Sequence, residues 1–350
     1  MKRSPRDVVA AVALLGASLA ATPVAAQKAG GILTMFSPDS PASMSILEEA
    51  TAFSQRPMMG VFNNLVIYDQ GVKQNSLTSI VPDLATGWSW SEEGTELTLP
   101  LRQGVKWHDG KPFTARDVKC TWDLLLGRSS EKLRLNPRKS WYGNLEGVTA
   151  NGDFEVTFHL KRPQSAFIAL LASGLAPGYP CHVPPRDMRA HPVGTGPFKF
   201  VEFKPNEGIK VTRNRDYWKP DRPYLDGIEY TIIKNLSTAI LAFVAGKFDM
   251  TFPYSVTAPL LNDVKTQMPE ANCELAPLGI HRDLMVNPHV PRHHHRRTGR
   301  HRRDHAAAAR RALGNAARHA DGAAGIRPRR PKEPRGSPPD HEQVRLWTGQ

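Results

Sequence analysis

The chain has 350 residues, of which 40% are apolar and 23% are charged. It is long enough for a substantial core, its composition excludes a disordered or collagen-like chain, and three cysteines exclude a disulfide-stapled mini-protein. The formal net charge is +13. Residues 289–350 contribute +10 and the first 26 residues +2, which leaves +1 for residues 27–288. The basic charge is therefore a property of the tail and does not indicate a nucleic-acid-binding protein.

The first 26 residues have the layout of a secretory signal. Three basic residues precede 14 uncharged ones, Val8 to Ala21, and small residues follow at Val24-Ala25-Ala26. The apolar stretch is shorter than the roughly 20 residues that a transmembrane helix needs. We therefore expect cleavage near Ala26 and a mature protein in a bacterial periplasm.

Strands and helices alternate irregularly along the rest of the chain. Alternation and apolar runs predict strands at Gly31–Phe36, Leu97–Leu101, Phe154–Leu160, Phe198–Phe203, Gly208–Thr212, Ile228–Ile233 and Phe248–Met250. Helical intervals predict helices within 44–66, from 113 to about 125, at Pro163–Leu171 and at Thr238–Ala245. Residues 176–197 read as loop. Because no strict β-α-β rhythm appears, we expect an α/β or α+β fold with long insertions.

Two of the predicted helices carry start signals. Ser43 to Ile46 are placed to begin the first, with Glu48 and Glu49 in its early turns. The second is the better defined, because Thr114 is placed to cap it and Asp117 stands three residues later, as in a capping box.

The cysteines leave the disulfide state open. In an oxidising compartment three cysteines cannot all pair within one chain. Cys120 lies in a helical pattern and is predicted to be buried, and a bridge between Cys181 and Cys273 is one possibility. No cysteine has a CxxC or metal-type partner, and we expect neither a metal nor a cofactor.

No catalytic constellation emerges from the sequence. His108 and Asp109 are adjacent in a tight loop, where two side chains rarely aim at one substrate atom, and no nucleophile with a positioned base is apparent. We predict that His108 is a hydrogen-bonding residue of this loop. The segment Gly194–Pro197 lacks the lysine and the helix of a phosphate loop, so its residues are expected to set turn geometry. The chain is not expected to be an enzyme.

Several motifs occur in a specific order and carry a family resemblance. The longest is Leu101–Val118, and the others are Pro82–Ala85, Gly194–Phe198, Asn214–Trp218, Pro223–Ile228 and Ala245–Asp249. Together they closely resemble family 5 extracellular solute-binding proteins, the peptide- and nickel-binding components of ABC importers. The resemblance covers about residues 30 to 288.

The resemblance implies a two-lobed fold of the type II periplasmic-binding-protein class, in which hinge closure buries a ligand in the cleft. The first lobe would occupy residues 27–288, with a subdomain inserted at about 60–190, and the second lobe would be missing. It also implies a monomer that captures a peptide or peptide-like solute and delivers it to an inner-membrane permease. Nickel, sugars, opines and haem are bound within the family too, so the ligand stays open.

The tail, residues 289–350, departs from this pattern after Leu284–Pro288. It holds 14 Arg and 8 of the 13 His but one aromatic residue, Trp347, and cannot build a core, so we expect disorder. One interpretation is a nucleic-acid-binding arm, which export argues against. Another is metal binding by His293–His295, whose arginine neighbours repel cations. We favour a third, a frameshift in a GC-rich gene, which the other two reading frames beyond Pro288 would test.

Candidate ligand contacts lie in loops at strand ends. They are Ser37, Asp39, Ser40, Asn63 and Asn64. The two amides both donate and accept hydrogen bonds, and the carboxylate could meet a peptide amine or a cation. Ordinary roles are open as well, namely a turn cap for Asp39 and a solvated helix turn for Asn63.

One lobe alone would leave a bound ligand wet, so we expect weak or absent binding by this chain. Rival functions are a secreted hydrolase and a non-specific extracytoplasmic chaperone with a basic tail. The hydrolase would need a nucleophile in a strained turn, and no G-x-S-x-G or Cys/His set is present.

Overall fold

The computed structural model describes residues 29–72, 74–252 and 255–277, together with a strand at 342–347. Within these residues the strands, β1 to β12, are Ile32–Ser37, Val66–Tyr68, Ile80–Pro82, Ser89–Trp90, Glu96–Pro100, Leu145–Ala150, Glu155–Leu160, Phe198–Lys204, Gly208–Arg213, Gly227–Ile232, Asn272–Pro277 and Glu342–Trp347. The helices, α1 to α5, are Ala52–Met59, Ala115–Leu126, Phe167–Ala172, Leu236–Val244 and Ala258–Gln267. The mixed α/β prediction is confirmed.

Two four-stranded sheets organise the described chain. The first has the order β1-β10-β9-β8, with β1 parallel to β10 and the other pairs antiparallel. The second, β4-β5-β7-β6, is antiparallel throughout. The chain leaves the first sheet after β1 and returns at β8, so the second sheet, α2 and α3 lie in an insertion. This topology agrees with an inserted subdomain, whose bounds of about 60–190 stay a prediction.

Aromatic side chains fill the space between α2 and the second sheet. The ring of Trp122 on α2 lies edge-on to that of Phe158 on β7, with centroids 4.9 Å apart, and 6.1 Å from the ring of Tyr142. Phe167 of α3 lies 5.8 Å from Phe158. The same hydrophobic cluster continues to Tyr230 of β10. Both sheets therefore share one close-packed core, to which the loops between them are anchored.

The start predicted for α2 is confirmed. The carboxylate of Asp117 accepts the backbone N–H of Thr114 at 3.0 Å, as the capping-box spacing predicts. Trp122 and Leu125 are buried on the helix face that meets the sheet. Gly127 ends the helix in the left-handed conformation, at φ +77, which glycine adopts without steric cost.

The helix predicted within 44–66 is mostly wrong. Only α1, Ala52–Met59, is helical, and turns precede it. The physical reason is the buried side chain of Arg138, whose guanidinium donates to the carbonyls of Leu47 at 2.8 Å and Glu49 at 2.9 Å. These two hydrogen bonds to a buried side chain distant in sequence hold the carbonyls of Leu47 and Glu49 in turns that precede α1.

Glu48, predicted for an early turn of that helix, is buried in an ion pair instead. Its carboxylate accepts from Nε and Nη2 of Arg189 at 2.7 and 2.9 Å and from the backbone N–H of Arg134. Burial alone would raise the pKa of Glu48, but these hydrogen bonds and the Arg189 charge lower it below its ordinary 4.5. The turn before α1 is thus fixed by groups far along the chain.

The possible Cys181–Cys273 bridge is wrong. Cys120 forms the disulfide with Cys181, and Cys273 is free. The backbone N–H of Cys181 donates to the carboxylate of Asp117 at 2.9 Å, which holds this loop against α2. Cys120 faces the loop and is half-buried, not buried as predicted.

Three further expectations remain, one for the strand at Phe248–Met250 and two for the ends of the chain. The strand predicted at Phe248–Met250 is reduced to a single bridge from Met250 to Met35. In the tail, β12 pairs with β11, so the expectation of disorder does not hold for those six residues. The predicted signal sequence and the rest of the tail lie outside the described residues. In the described part, no helix combines the length and apolarity needed to cross a membrane.

Candidate functional site

The Ser37–Ser40 loop follows β1 and is tied down by its own short hydrogen bonds. The hydroxyl of Ser37, which is buried, donates to the carbonyl of Asp39 at 2.9 Å. The Asp39 carboxylate accepts the N–H of Ser40 at 2.8 Å, and the Ser40 hydroxyl accepts the N–H of Asn206 at 3.1 Å. Asp39 itself is exposed. The loop therefore presents one carboxylate to solvent while β1 and the β8–β9 turn hold its backbone.

Asn63 is buried outside α1, so the solvated helix turn considered for it is wrong. Its Nδ2 donates to a carboxylate oxygen of Asp83 at 3.0 Å and to the hydroxyl of Tyr217 at 3.1 Å. Its Oδ1 accepts from Thr195 and from the indole N–H of Trp218, both at 3.3 Å. All four hydrogen-bonding positions of the amide are thus used within the protein.

Asn64 is also occupied by the protein. Its Nδ2 donates to the carbonyls of Leu171, at 3.1 Å, and Ser173, at the end of α3. Its backbone N–H donates to the same Asp83 oxygen that Asn63 reaches, at 3.2 Å. The structure thus brings the two predicted amides together around one carboxylate, whereas Ser37, Asp39 and Ser40 form a separate group with partners of their own.

Asp83 is the residue that the candidate list missed. Its side chain is buried and carries an ion pair with Nζ of Lys219 at 2.6 Å, in addition to the two asparagine contacts. A buried carboxylate needs such partners, since an unpaired one would be costly. The signal was present, because Asp83 and Tyr217 lie in two of the motifs that carry the family resemblance. We call Asn63, Asn64, Asp83, Tyr217 and Lys219 the Asp83 hub.

Aromatic and cationic side chains cover the Asp83 hub. The guanidinium of Arg102 lies 4.5 Å and the ammonium of Lys219 4.8 Å from the ring centroid of Trp218. Nε of Arg102 also donates to the backbone carbonyl of Asp83 at 3.3 Å. Burial raises the pKa of Tyr217 to about 12, so its hydroxyl stays protonated.

A cavity of about 460 Å³ opens beside this hub. All five hub residues line it, and Met59, Phe62 and Tyr68 contribute apolar surface. Cavities of this size, with apolar walls and a few placed polar groups, are typical of small-ligand sites. Because the two asparagines and Asp83 are engaged within the protein, the partly exposed ammonium of Lys219 is the hub group placed to meet a solute. In the described part of the chain, no group of three or more His, Cys, Asp or Glu residues is placed to bind a metal.

His108 is confirmed as a hydrogen-bonding loop residue. Its Nδ1 accepts the N–H of Gly194 at 3.3 Å and its Nε2 donates to the carbonyl of Gly196 at 2.9 Å, a pattern that requires the neutral ring. Burial lowers the pKa of His108 to about 4; the hydrogen bond to Gly196 opposes this shift only in part, and the Lys199 charge adds to it. Both ring nitrogens are therefore engaged in holding two loops together.

The glycines of the Gly194–Pro197 segment serve close backbone packing more than turn geometry. A Cβ at Gly194 would lie 1.9 Å from the carbonyl oxygen of Val61, and one at Gly196 would lie 2.5 Å from its carbonyl carbon. The N–H of Gly196 donates to the Val61 carbonyl at 2.9 Å. The absence of side chains brings Thr195, between them, within reach of Asn63.

Comparison with known proteins identifies the family. The model for bacterial extracellular solute-binding proteins, family 5 middle, matches residues 79–313. The chain belongs to this family. The match extends beyond Pro288 into the basic tail, so the predicted end of the resemblance at about 288 is too early.

Two curated relatives are similar to the chain over about half of its length. The oligopeptide-binding protein AppA of Bacillus subtilis is 32% identical over 212 residues, which are 57% of this chain and 38% of AppA. The glutathione-binding protein GsiB of Escherichia coli is 30% identical over 173 residues, 49% of this chain and 33% of GsiB. The aligned residues thus make up about a third of the length of each relative.

Solved structures confirm the fold. DppA from Helicobacter pylori, in complex with the peptide STSA, superposes with a TM-score of 0.61 at 26% identity, covering 71% of this chain and 51% of DppA. AppA from Bacillus subtilis, in complex with a nonapeptide, gives 0.61 at 28% identity, covering 71% of this chain and 48% of AppA. The mixed α/β fold is that of the family 5 binding proteins, of which the chain covers about half.

Proposed function

We propose that this chain captures a peptide or peptide-like solute in the periplasm for delivery to an inner-membrane ABC permease, without chemistry of its own. The observation that carries this proposal is the family match over residues 79–313. Two similar proteins, AppA and DppA, are named or solved as peptide binders, which favours peptides over the other solutes of the family.

The described part supports a binding role with two surfaces of different character. The Ser37–Ser40 loop offers the exposed carboxylate of Asp39, which suits a peptide amine. The cavity beside the Asp83 hub offers apolar walls and the partly exposed ammonium of Lys219, which suits a carboxylate or a carbonyl. We propose Ser37, Asp39, Ser40, Asn63 and Asn64 as residues that contact or shape the bound solute.

We also propose that the chain supplies the first lobe of a two-lobed binding protein. It spans about half of the solved family members, and its insertion topology accounts for one lobe with a subdomain. A ligand on one lobe keeps much of its surface in water, which weakens each polar contact. Binding that involves this lobe alone should therefore be weaker than micromolar.

The test is an NMR titration of the isotope-labelled full chain with trialanine, because chemical shifts detect weak binding. We expect saturable shifts in the Ser37–Ser40 loop or beside the Asp83 hub. Asp39→Asn should weaken binding, whereas Asp263→Asn, which removes an exposed carboxylate of α5, should not. Saturable shifts with glucose or nickel chloride but none with trialanine would contradict peptide capture. Cleavage of trialanine would contradict a role without chemistry.

A further inference from the structure

A second, strongly polar hollow lies in the connection between β9 and β10. It has a volume of about 600 Å³, and four cationic side chains outnumber two acidic ones in its wall. We call it the basic hollow, and its charged residues are Arg213, Arg215, Lys219, Arg222, Asp221 and Asp226. It shares only Tyr217 and Lys219 with the lining of the cavity beside the Asp83 hub.

Two of the four cations have acidic partners. The ammonium of Lys219 lies 2.6 Å from a buried oxygen of Asp83. Nη1 of Arg213 lies 3.7 Å from Oδ1 of Asp226, a longer contact. The other oxygen of Asp226 accepts the backbone N–H of Gly31, the residue before β1, at 3.0 Å. These partners neutralise the charges of Lys219 and Arg213. The charges of the other two cations, Arg215 and Arg222, are left in the hollow.

Arg215 and Arg222 supply the excess charge. Within the described residues, the structure records no ion pair for either side chain. The guanidinium of Arg222 lies 3.9 Å from the ring centroid of Tyr224, which restricts its orientation. Planar guanidinium groups present paired N–H donors that match phosphate and carboxylate oxygens.

The backbone beneath the basic hollow is fixed at both ends. The N–H of Arg213 donates to the carbonyl of Asp226 at 2.8 Å, which closes the connection. Asn214 is buried, with its Nδ2 donating to the carbonyl of Gly196 at 3.0 Å and its Oδ1 accepting the N–H of Asp216 at 3.2 Å. A site whose scaffold is already ordered loses less conformational entropy on binding.

We propose that the basic hollow binds a polyanion through its phosphate or carboxylate groups, with Arg215 and Arg222 as the principal contacts. A hollow of this volume accommodates a small molecule or a lipid headgroup. Because both arginines lie at the surface, binding weakens as salt screens their charge. This inference goes beyond peptide capture: the two cavities adjoin at Tyr217 and Lys219, but Arg215 and Arg222 line only the basic hollow.

The test is protection of individual arginines in the full chain from phenylglyoxal, a reagent specific for guanidinium groups, with each site followed by mass spectrometry. Pyrophosphate should slow modification of Arg215 and Arg222 about fivefold or more, because bound oxygens occupy their donors. Arg162, exposed after β7, serves as the control and should change little. Equal slowing at all arginines, or no slowing at Arg215 and Arg222 by either pyrophosphate or phosphatidylglycerol vesicles, would overturn the proposal.

Variants and vesicles sharpen the result. Pyrophosphate should also slow modification of Arg213, which lines the same hollow. In the double variant Arg215→Gln/Arg222→Gln this slowing should disappear, while the matched variant Arg162→Gln keeps it. Protection that persists in the double variant would also overturn the proposal. Phosphatidylglycerol vesicles, with phosphatidylcholine vesicles as control, identify the source: site-specific protection by these vesicles alone assigns a lipid headgroup, and protection by pyrophosphate assigns a free anion.

Discussion

The Asp83 hub and the Ser37–Ser40 loop contain the same kinds of polar residues in opposite settings. In the hub, the carboxylate is buried and bonded to two asparagines and a lysine. In the loop, the carboxylate of Asp39 is exposed and bonds only a neighbouring N–H. Residue type alone does not separate a group that holds the fold from one that faces a ligand. The distinction lies in the tertiary partners, and substitutions can measure it.

The largest difference is expected for the two carboxylates. Asp83→Ala should lower the free energy of unfolding by about 3–5 kcal/mol, because it leaves a charged and two neutral donors without their acceptor. Asp39→Ala should change it by no more than about 0.5 kcal/mol, as at ordinary surface positions. Urea denaturation of both variants measures the contrast. Equal losses would show that the loop is as structural as the hub.

A smaller loss is expected when the Gly194–Pro197 segment is displaced from the hub. Gly194→Ala should cost about 2–3 kcal/mol, since the new methyl group would overlap the Val61 carbonyl. Gly87→Ala is the matched control, because nothing lies within 4 Å of a Cβ there, and it should be neutral or slightly stabilising. Thermal and urea unfolding compare the two. A neutral Gly194→Ala would refute the close packing.

Acid should lower the free energy of unfolding through His108, which holds the Gly194–Pro197 segment in place. The unfolded ring has its ordinary pKa of 6.5, and the folded ring has a pKa of about 4, so the unfolded chain binds more protons between these values. The stabilisation is fully present above about pH 6.5 and is lost as the pH falls toward 4, by about 3 kcal/mol. Urea midpoints across this range should fall less in His108→Gln than in the wild type.

The smallest effect belongs to the exposed loop. Ser40→Ala removes the hydroxyl that accepts the N–H of Asn206, a bond that water can replace. The free energy of unfolding should change by less than about 0.5 kcal/mol. The chemical shift of the Asn206 amide should move, because its acceptor is gone, whereas the backbone N–H that Ser40 donates to Asp39 remains. A loss comparable to that of Asp83→Ala would erase the contrast between the two regions.

Sequence patterns correctly predicted the structural features that depend on residues close together in the sequence. The hairpin of β8 and β9 and the alternation of β7 appear nearly where expected, and Asp117 caps α2 as its spacing indicates. These features arise from interactions within a few residues, so the local sequence contains their cause.

The failures involve partners that are distant in sequence. The turn before α1 depends on Arg138, about ninety residues later, and the disulfide depends on a loop folding back onto α2. For the candidate site, the sequence singled out Asn63 and Asn64, whose contact with a solute stays a proposal, but it did not show that they share Asp83 as a partner, because three segments distant in sequence meet there. Periodicity contains no information on such long-range pairings.

The disulfide between Cys120 and Cys181 closes a covalent ring around β6, β7 and α3. Any single break of the main chain inside that ring leaves both fragments attached to one another. A protease that cuts an exposed turn there, such as the one between β6 and β7, would produce no separate piece on a non-reducing gel. After such a cleavage, the outer half of the second sheet would therefore remain linked to α2, and its strands would still be close enough to pair again.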